Sequence, residues 1–410
     1  MASIKVLIIG FVWPEPTSTA AGQRMLQLIQ LFLKQDYKVS FTCTAKKTEY
    51  SFPLHTLGIS ETEIVLNNSS FDTYLLETQP NIVLFDRFLT EEQFGWRVAK
   101  NVPNALRILD TEDLHSLRQT REQAFKNGTP FLIQDWIRNT ITKREIASIY
   151  RSDISLLISS YEMELLTENI KIEESLIHYL PFLLEESHHE SVSYKEREGF
   201  ICMGNGNHAP NRDAVIWLKK EIWPLIRKQL PKATLSIYGG HLPEQIKQMH
   251  NSKEEFLVQG WAPDAIEAVR KSKICLAPLR FGAGLKGKLI TALQAQTPSV
   301  TTKIGAEGIQ LPNFNWNGFI KDDAAEIANA AVQLYNSEEE WCRAQENGKK
   351  LLHALSNKAK YEKEFLLRIK HTLENIEEHR ESNFIGAMLQ HSSMASTKFM
   401  SKWIEAKNSK

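Results

Sequence analysis

Twice along this chain, short apolar runs rich in β-branched residues alternate with stretches of helical periodicity. That alternation constrains the fold more than any other feature. The first run, Ile4-Lys5-Val6-Leu7-Ile8-Ile9-Gly10-Phe11, is apolar at both odd and even positions. A strand of this kind is buried on both faces, which implies a parallel sheet. Met25, Leu26, Leu28, Ile29, Leu31, Phe32 and Leu33 follow at helical spacing. The same reading gives strands over 39–44, 82–85, 106–109, 154–158 and 176–180, with helices near 71–79, 91–100, 131–150 and 161–169. Strands alternating with helices mean an α/β, doubly wound domain.

A polar stretch over 185–191 then breaks the pattern and reads as an interdomain linker. Its His188-His189 pair lacks the carboxylate or thiol spacing of a metal site. The alternation restarts with strands over 200–203, 235–238, 256–259, 274–277 and 299–302. Helices are expected over 214–230, 243–250, 263–271, 288–295, 324–335 and 338–355. Helical register runs on from 351 to 373 without a break, and an amphipathic tail follows. The expected division is an N-terminal domain over 1–190, a C-terminal domain over 191–355, and terminal helices over 356–410 that begin by crossing back to the N-terminal domain. A chain of 410 residues is too long for one ordinary core. In sheets of this class, ligands bind beyond the carboxyl ends of the strands, so two facing domains put a site in the cleft between them.

Composition removes several alternatives. With 42% hydrophobic and 24% charged residues, the chain is neither disordered nor a coiled coil. The four cysteines are scattered and form no CxxC pair, so buried thiols are expected rather than disulfides or a metal site. No apolar run approaches the ~18 residues needed to span a bilayer, and the N-terminal run has no basic leader before it. The expected location is therefore the cytoplasm. The 49 basic and 49 acidic residues cancel, which argues against general nucleic-acid binding. The balance hides an asymmetry: residues 1–190 hold 18 basic and 25 acidic residues, leaving 31 and 24 for the rest. An anionic ligand is expected in the basic half.

The densest chemical signal is Pro278-Leu279-Arg280-Phe281-Gly282-Ala283-Gly284-Leu285-Lys286-Gly287-Lys288, at the end of a strand and the start of a helix. Glycines free backbone N–H groups to face a ligand, and the helix N-terminus adds positive dipole. From Ala268 to Ala306 there are seven basic residues and no acidic one. This reads as a cradle for a diphosphate. The spacing is that of neither a P-loop nor a GxGxxG dinucleotide site.

The order of pieces along 200–309 resembles the donor half of a retaining GT-B glycosyltransferase of the family 4, or "glycosyl transferases group 1", kind. They are Met203-Gly204-Asn205, Pro210-Asn211-Arg212-Asp213, Leu235-Ser236-Ile237-Tyr238-Gly239-Gly240, Val258-Gln259-Gly260-Trp261, the 278–293 loop and Lys303-Ile304-Gly305-Ala306-Glu307-Gly308. Ala20-Ala21-Gly22-Gln23-Arg24 is similar to the loop opening the first helix of these enzymes.

The resemblance implies two Rossmann-like doubly wound parallel-sheet domains facing a central cleft. It implies sugar transfer with retention from a nucleotide-diphosphate sugar to a glycan, lipid-linked or small-molecule acceptor, with no metal and no separate cofactor. Polysaccharide biosynthesis, in the cytoplasm or at the inner membrane face with peripheral membrane contact, is the implied setting. In the implied site, Lys288 contacts the diphosphate with Arg280 and Lys286 as helpers. Gly22, Gly282 and Gly284 offer backbone, Thr291 and Glu307 meet the donor, and Tyr238, Gly239 and Trp261 border the base. Taken singly, Trp261 reads as core packing. His115 and Asp113 occupy the place of a sugar-facing histidine–aspartate pair.

Three departures stand out: Thr291 and Ala283 fall where the family has glutamates, and Asn205 and Pro210 where it has an arginine and a lysine. A sugar-nucleotide isomerase on the same architecture and a non-catalytic sugar-nucleotide-binding protein are the alternative readings.

Overall fold

A computed structural model of the chain describes residues 3–185 and 191–408. Most of the 185–191 stretch, with the His188-His189 pair, lies outside the described residues. The first sheet has seven strands: β1 (Lys5–Gly10), β2 (Lys38–Cys43), β3 (Ser60–Glu63), β4 (Ile82–Asp86), β5 (Leu106–Asp110), β6 (Ile154–Leu157) and β7 (Ile177–Tyr179). Their spatial order is β3-β2-β1-β4-β5-β6-β7. The second has six: β8 (Glu198–Met203), β9 (Leu235–Tyr238), β10 (Phe256–Gly260), β11 (Ser272–Ala277), β12 (Ser299–Thr301) and β13 (Gly318–Ile320). They run in the order β10-β9-β8-β11-β12-β13. Every pairing between these strands is parallel. Strand order reverses direction at β1/β4 and at β8/β11, which opens a crevice at the carboxyl edge of each sheet.

The two-sided burial of β1 follows from its residues. Val6 and Ile8 enter one core with Ile29 and Phe32, while Leu7 and Ile9 enter the opposite core with Phe85 and Trp136. The second sheet is sandwiched likewise, with Phe200, Ile274 and Leu276 on one side and Ile201 and Cys275 on the other. The helix expected over 131–150 is two, Ile133–Arg138 and Thr140–Arg151, because the Asn139 side chain caps the second by accepting from Ile141 N. The expected unbroken register over 351–373 is interrupted at Ser356 and Asn357, between helices Glu338–Leu355 and Lys358–Glu374. The break redirects the chain, and Phe365 and Ile369 end fully buried in the core with Ile29 and Phe32. The tail is one long helix, Phe384–Asn408, laid on helices Arg87–Asn101 and Thr140–Arg151.

Candidate functional site

After β11 the chain turns through Gly282 and Gly284 and enters the helix Gly287–Gln294. Lys288 lies in its first turn. Its Nζ donates to the Asn211 side-chain oxygen, and Asn211 is itself fixed by donating to Asn205 O at 3.0 Å. Lys288 has no acidic partner among the described residues, and burial lowers its pKa. A half-buried cation without an acidic partner at a helix N-terminus suits an anion.

The other two cations of the loop differ. Arg280 holds Asp213 through Nε and Nη2 of its guanidinium, at 2.9 and 2.6 Å, and lies over the rings of Phe125 and Trp217. Lys286 is buried, donates to Gly284 O at 2.8 Å and stands 3.9 Å from Glu307; burial pushes its pKa down to about 8. The window that is acid-free along the chain is therefore not acid-free in space, since Asp213 and Glu307 fold onto it. That corrects the expectation that all three cations face a ligand. Glu307 accepts from both terminal guanidinium nitrogens of Arg121 in the N-terminal domain, at 2.7 and 2.8 Å, so it is a clasp between domains. Arg121 also donates to Gly282 O at 2.8 Å.

On the opposite wall, Asp113 follows β5 and receives Arg118 at 2.7 and 3.3 Å. His115 Nε2 is 3.2 Å from the same carboxylate. The Arg118 guanidinium holds the Asp113 carboxyl well below the usual range despite its burial. His115 starts the helix His115–Lys126, packs edge-on against Phe88 and is pushed down to about 4 by burial, so it is neutral at pH 7. Glu145 caps that helix, accepting from His115 N at 2.9 Å and from Ser116 N at 3.1 Å. Asp113 meets the donor loop directly: Gly284 has φ +64, and a Cβ there would lie 2.8 Å from Asp113 Cβ. The sequence-derived residues Asp113 and Gly284 thus meet from opposite walls, with Lys286 donating to Gly284 O.

Sequence reasoning missed two further groups. Glu162 accepts from Leu114 N at 3.1 Å and Gly284 N at 2.7 Å with one oxygen, tying the loop after β5 to the donor loop. Burial pushes its pKa up to about 8. His208 precedes the helix Ala209–Trp217, and burial together with the Arg118 charge lowers its pKa to about 3. Asp113 and Lys288 also act on it electrostatically, so it stands between the two walls. The only sequence signal for His208 is its place just before Pro210, where a helix begins. Glu162 has none, since its partners lie in distant segments.

Four expectations need correction. The Gly22 amide is not open to a ligand, because it donates to the Thr19 hydroxyl at 2.9 Å. Glycine is required there for another reason: a Cβ would lie 2.4–2.6 Å from the Glu15 backbone. The Gly284 amide is likewise held by Glu162. The Thr291 hydroxyl donates to Gly287 O at 3.0 Å within its own helix. Trp261 is not a core residue; it is 38% exposed, donates to Thr17 O at 3.1 Å and lies near Tyr50, so it bridges the domains. Tyr238 ends β9, and Gly239 N donates to Gly260 O at 2.8 Å, which seats both beside that bridge.

Two Rossmann-like parallel-sheet domains joined across a cleft define the GT-B fold. Residues 197–337, spanning most of the second domain, match the family model of glycosyl transferases group 1. Solved structures agree on the fold over nearly the whole chain. A TarM variant from S. aureus, in complex with fondaparinux, α-GlcNAc-glycerol and UDP, is 10% identical with TM-score 0.65, covering 89% of this chain and 99% of that one. Sucrose-phosphate synthase from Thermosynechococcus elongatus is 14% identical with TM-score 0.66, covering 90% and 99%. HepE of Anabaena, with UDP and glucose, is 10% identical with TM-score 0.61, covering 90% and 100%. A comparison with curated proteins returned no match.

Proposed function

We propose that the chain is a glycosyltransferase that moves a sugar from a nucleotide-diphosphate sugar to a glycan, lipid-linked or small-molecule acceptor, with retention at the anomeric carbon. The observation that carries this reading is Lys288: half-buried, without an acidic partner among the described residues, in the first turn of a helix whose start packs on Ala20 of the N-terminal domain. The diphosphate binds Lys288 and the helix N-terminus, and Tyr238, Gly239 and Trp261 border the base. The bond from the anomeric carbon to the diphosphate oxygen breaks as the acceptor oxygen attacks from the same face. The departing phosphate oxygen takes the acceptor proton. Lys288 stabilises the charge that grows on that oxygen. Ionised Asp113, held so by Arg118, accepts from sugar or acceptor hydroxyls, and His115, kept neutral by burial, offers them one ring N–H and one acceptor nitrogen. No metal or further cofactor is invoked.

One observation favours a second reading, a non-catalytic binder of sugar nucleotides. Ala283 and Thr291 leave the donor side without a carboxylate at those places, and the Thr291 hydroxyl is held by its own helix. A single experiment separates the readings. The full chain is incubated with a panel of UDP-sugars, chosen because HepE and TarM were solved with UDP, and a mixed acceptor pool. Products are followed by proton NMR. An acceptor-linked sugar with the donor's anomeric configuration supports the proposal. Free epimerised sugar nucleotide identifies an isomerase, and binding without turnover of any donor identifies the binder.

A further inference from the structure

Far from the cleft residues, the last helix carries an apolar face that no described residue covers. On its inner side Gly386, Met394 and Ser401 are buried, and Gln390 donates to Arg151 O at 3.1 Å. At about 100° per residue, Phe384, Ile385, Met388, Phe399, Met400 and Trp403 fall within a ~160° arc on the outer side. Their exposures are 74, 43, 51, 66, 59 and 60%. Six large apolar side chains on one face of one helix exceed the scattered singles of an ordinary surface.

The charge on this helix is one-sided. It holds Lys398, Lys402 and Lys407, against one acid, Glu405, which accepts from Ser69 N at 2.7 Å and lies 3.9 Å from Arg97. Between this helix and the N-terminal domain opens a cavity of about 640 Å³. Lys100, Arg107, Arg151, Arg380 and Lys398 line it, and its one acid is Asp153. Asp153 is taken by Arg107 and Arg380, at distances of 2.7–3.2 Å. Lys100 and Lys398 make no ion pair among the described residues.

The geometry points to an anionic phospholipid bilayer as the occupant of this face, with the outer side chains in the acyl boundary and a phosphate-bearing headgroup at the basic cavity. Aromatic and methionine side chains flanked by lysines suit the interface between headgroups and acyl chains. No helix among the described residues is long and apolar enough to cross a membrane, so the contact is parallel to the surface. A second copy suits the face less well, because two such faces would juxtapose their lysines with no acid between them. The inference does not depend on sugar transfer, and its test uses no donor.

The full chain is sedimented with vesicles of phosphatidylcholine alone and of phosphatidylcholine mixed with phosphatidylglycerol, at low and high salt. Binding to the mixed vesicles only, weakened by salt, is expected. The pair Phe399→Ser and Trp403→Ser, both on exposed positions, lowers partitioning by at least about tenfold through lost apolar burial. Lys100→Gln and Lys398→Gln each lower it about fivefold. Far-UV circular dichroism and UDP binding stay at wild-type levels in all variants. Absence of vesicle binding overturns the inference, as does equal binding to neutral vesicles or binding that ignores the double variant. A chain that is dimeric until the double variant makes it monomeric, with no vesicle binding, also overturns it.

Discussion

Replacing Lys288 with methionine keeps the aliphatic stem and removes the charge. If Lys288 grips the diphosphate, a charge-assisted hydrogen bond is lost, worth about 1.5–3 kcal/mol or roughly tenfold to a hundredfold in affinity. The unliganded protein responds differently. Its Lys288 ammonium is half-buried with only the Asn211 oxygen as a side-chain partner among the described residues, and desolvation already favours the neutral amine. Methionine removes that desolvation cost and leaves Asn211 short of one hydrogen bond, worth about 1 kcal/mol. The two effects oppose each other, so the unliganded melting temperature should change by no more than about 2–4 °C. With nucleotide at about 100 times the wild-type Kd, wild type gains about 2.7 kcal/mol. A variant that binds about 30-fold more weakly gains only about 0.9 kcal/mol at the same concentration. Differential scanning fluorimetry across a UDP and UDP-sugar titration reads both numbers. An unchanged ligand-induced shift refutes the reasoning. A large loss of unliganded stability with unchanged affinity shows instead that the lysine is structural.

Arg121→Met removes two charge-assisted hydrogen bonds from half-buried Glu307 and leaves it only Lys286 at 3.9 Å, at a cost of about 1.5–3 kcal/mol. The urea midpoint should fall and the radius of gyration by small-angle scattering should rise; if neither moves, the pair does not hold the domains together. Gly22→Ala forces a Cβ against the Glu15 backbone and should destabilise by about 1–3 kcal/mol, while a wild-type melting temperature would show that the loop yields freely. His115, at about 4 when folded against 6.5 unfolded, binds its proton more weakly in the folded state. Its contribution is complete above pH 6.5 and declines as pH falls toward 4, by about 3 kcal/mol at ~1.36 kcal/mol per pH unit. His208, at about 3, extends the same decline lower. Urea midpoints measured from pH 7 to 4 should therefore fall less steeply in His115→Asn than in wild type, and identical slopes would exclude this cause.

Sheet architecture is legible because it depends on local pattern. Val6, Leu7, Ile8 and Ile9 announce burial on two faces without reference to any other segment. The edge strand β3 is not legible, since Ser60-Glu61-Thr62-Glu63 pairs through its backbone and shows no apolar period. The break at Ser356 and Asn357 is hidden for a related reason: both flanking helices keep apolar residues in phase across it. In the site, Lys288 is legible as a cation at a glycine-rich helix start. Its distinction from Arg280 and Lys286 is not, because Asp213 and Glu307 neutralise those two from outside the loop. Glu162 is invisible along the chain for the same cause. A carboxylate that bridges two domains owes its role to partners 48 and 122 residues away.

The return of the chain at Ser356 has a consequence for the order in which the protein is made. The core of the first sheet includes Phe365 and Ile369, and Arg380 donates to Asp153 at the base of β6. Every residue of the second sheet is synthesised before these pieces leave the ribosome. The C-terminal domain has all its strands by residue 320, whereas the N-terminal domain, begun first, lacks part of its interior until some 50 residues later. Topologically the second domain is an insert within the first. Vectorial synthesis usually lets the leading domain finish first; here the trailing domain is complete sooner, and a nascent chain halted before residue 365 should present an unfilled groove beside Ile29 and Phe32.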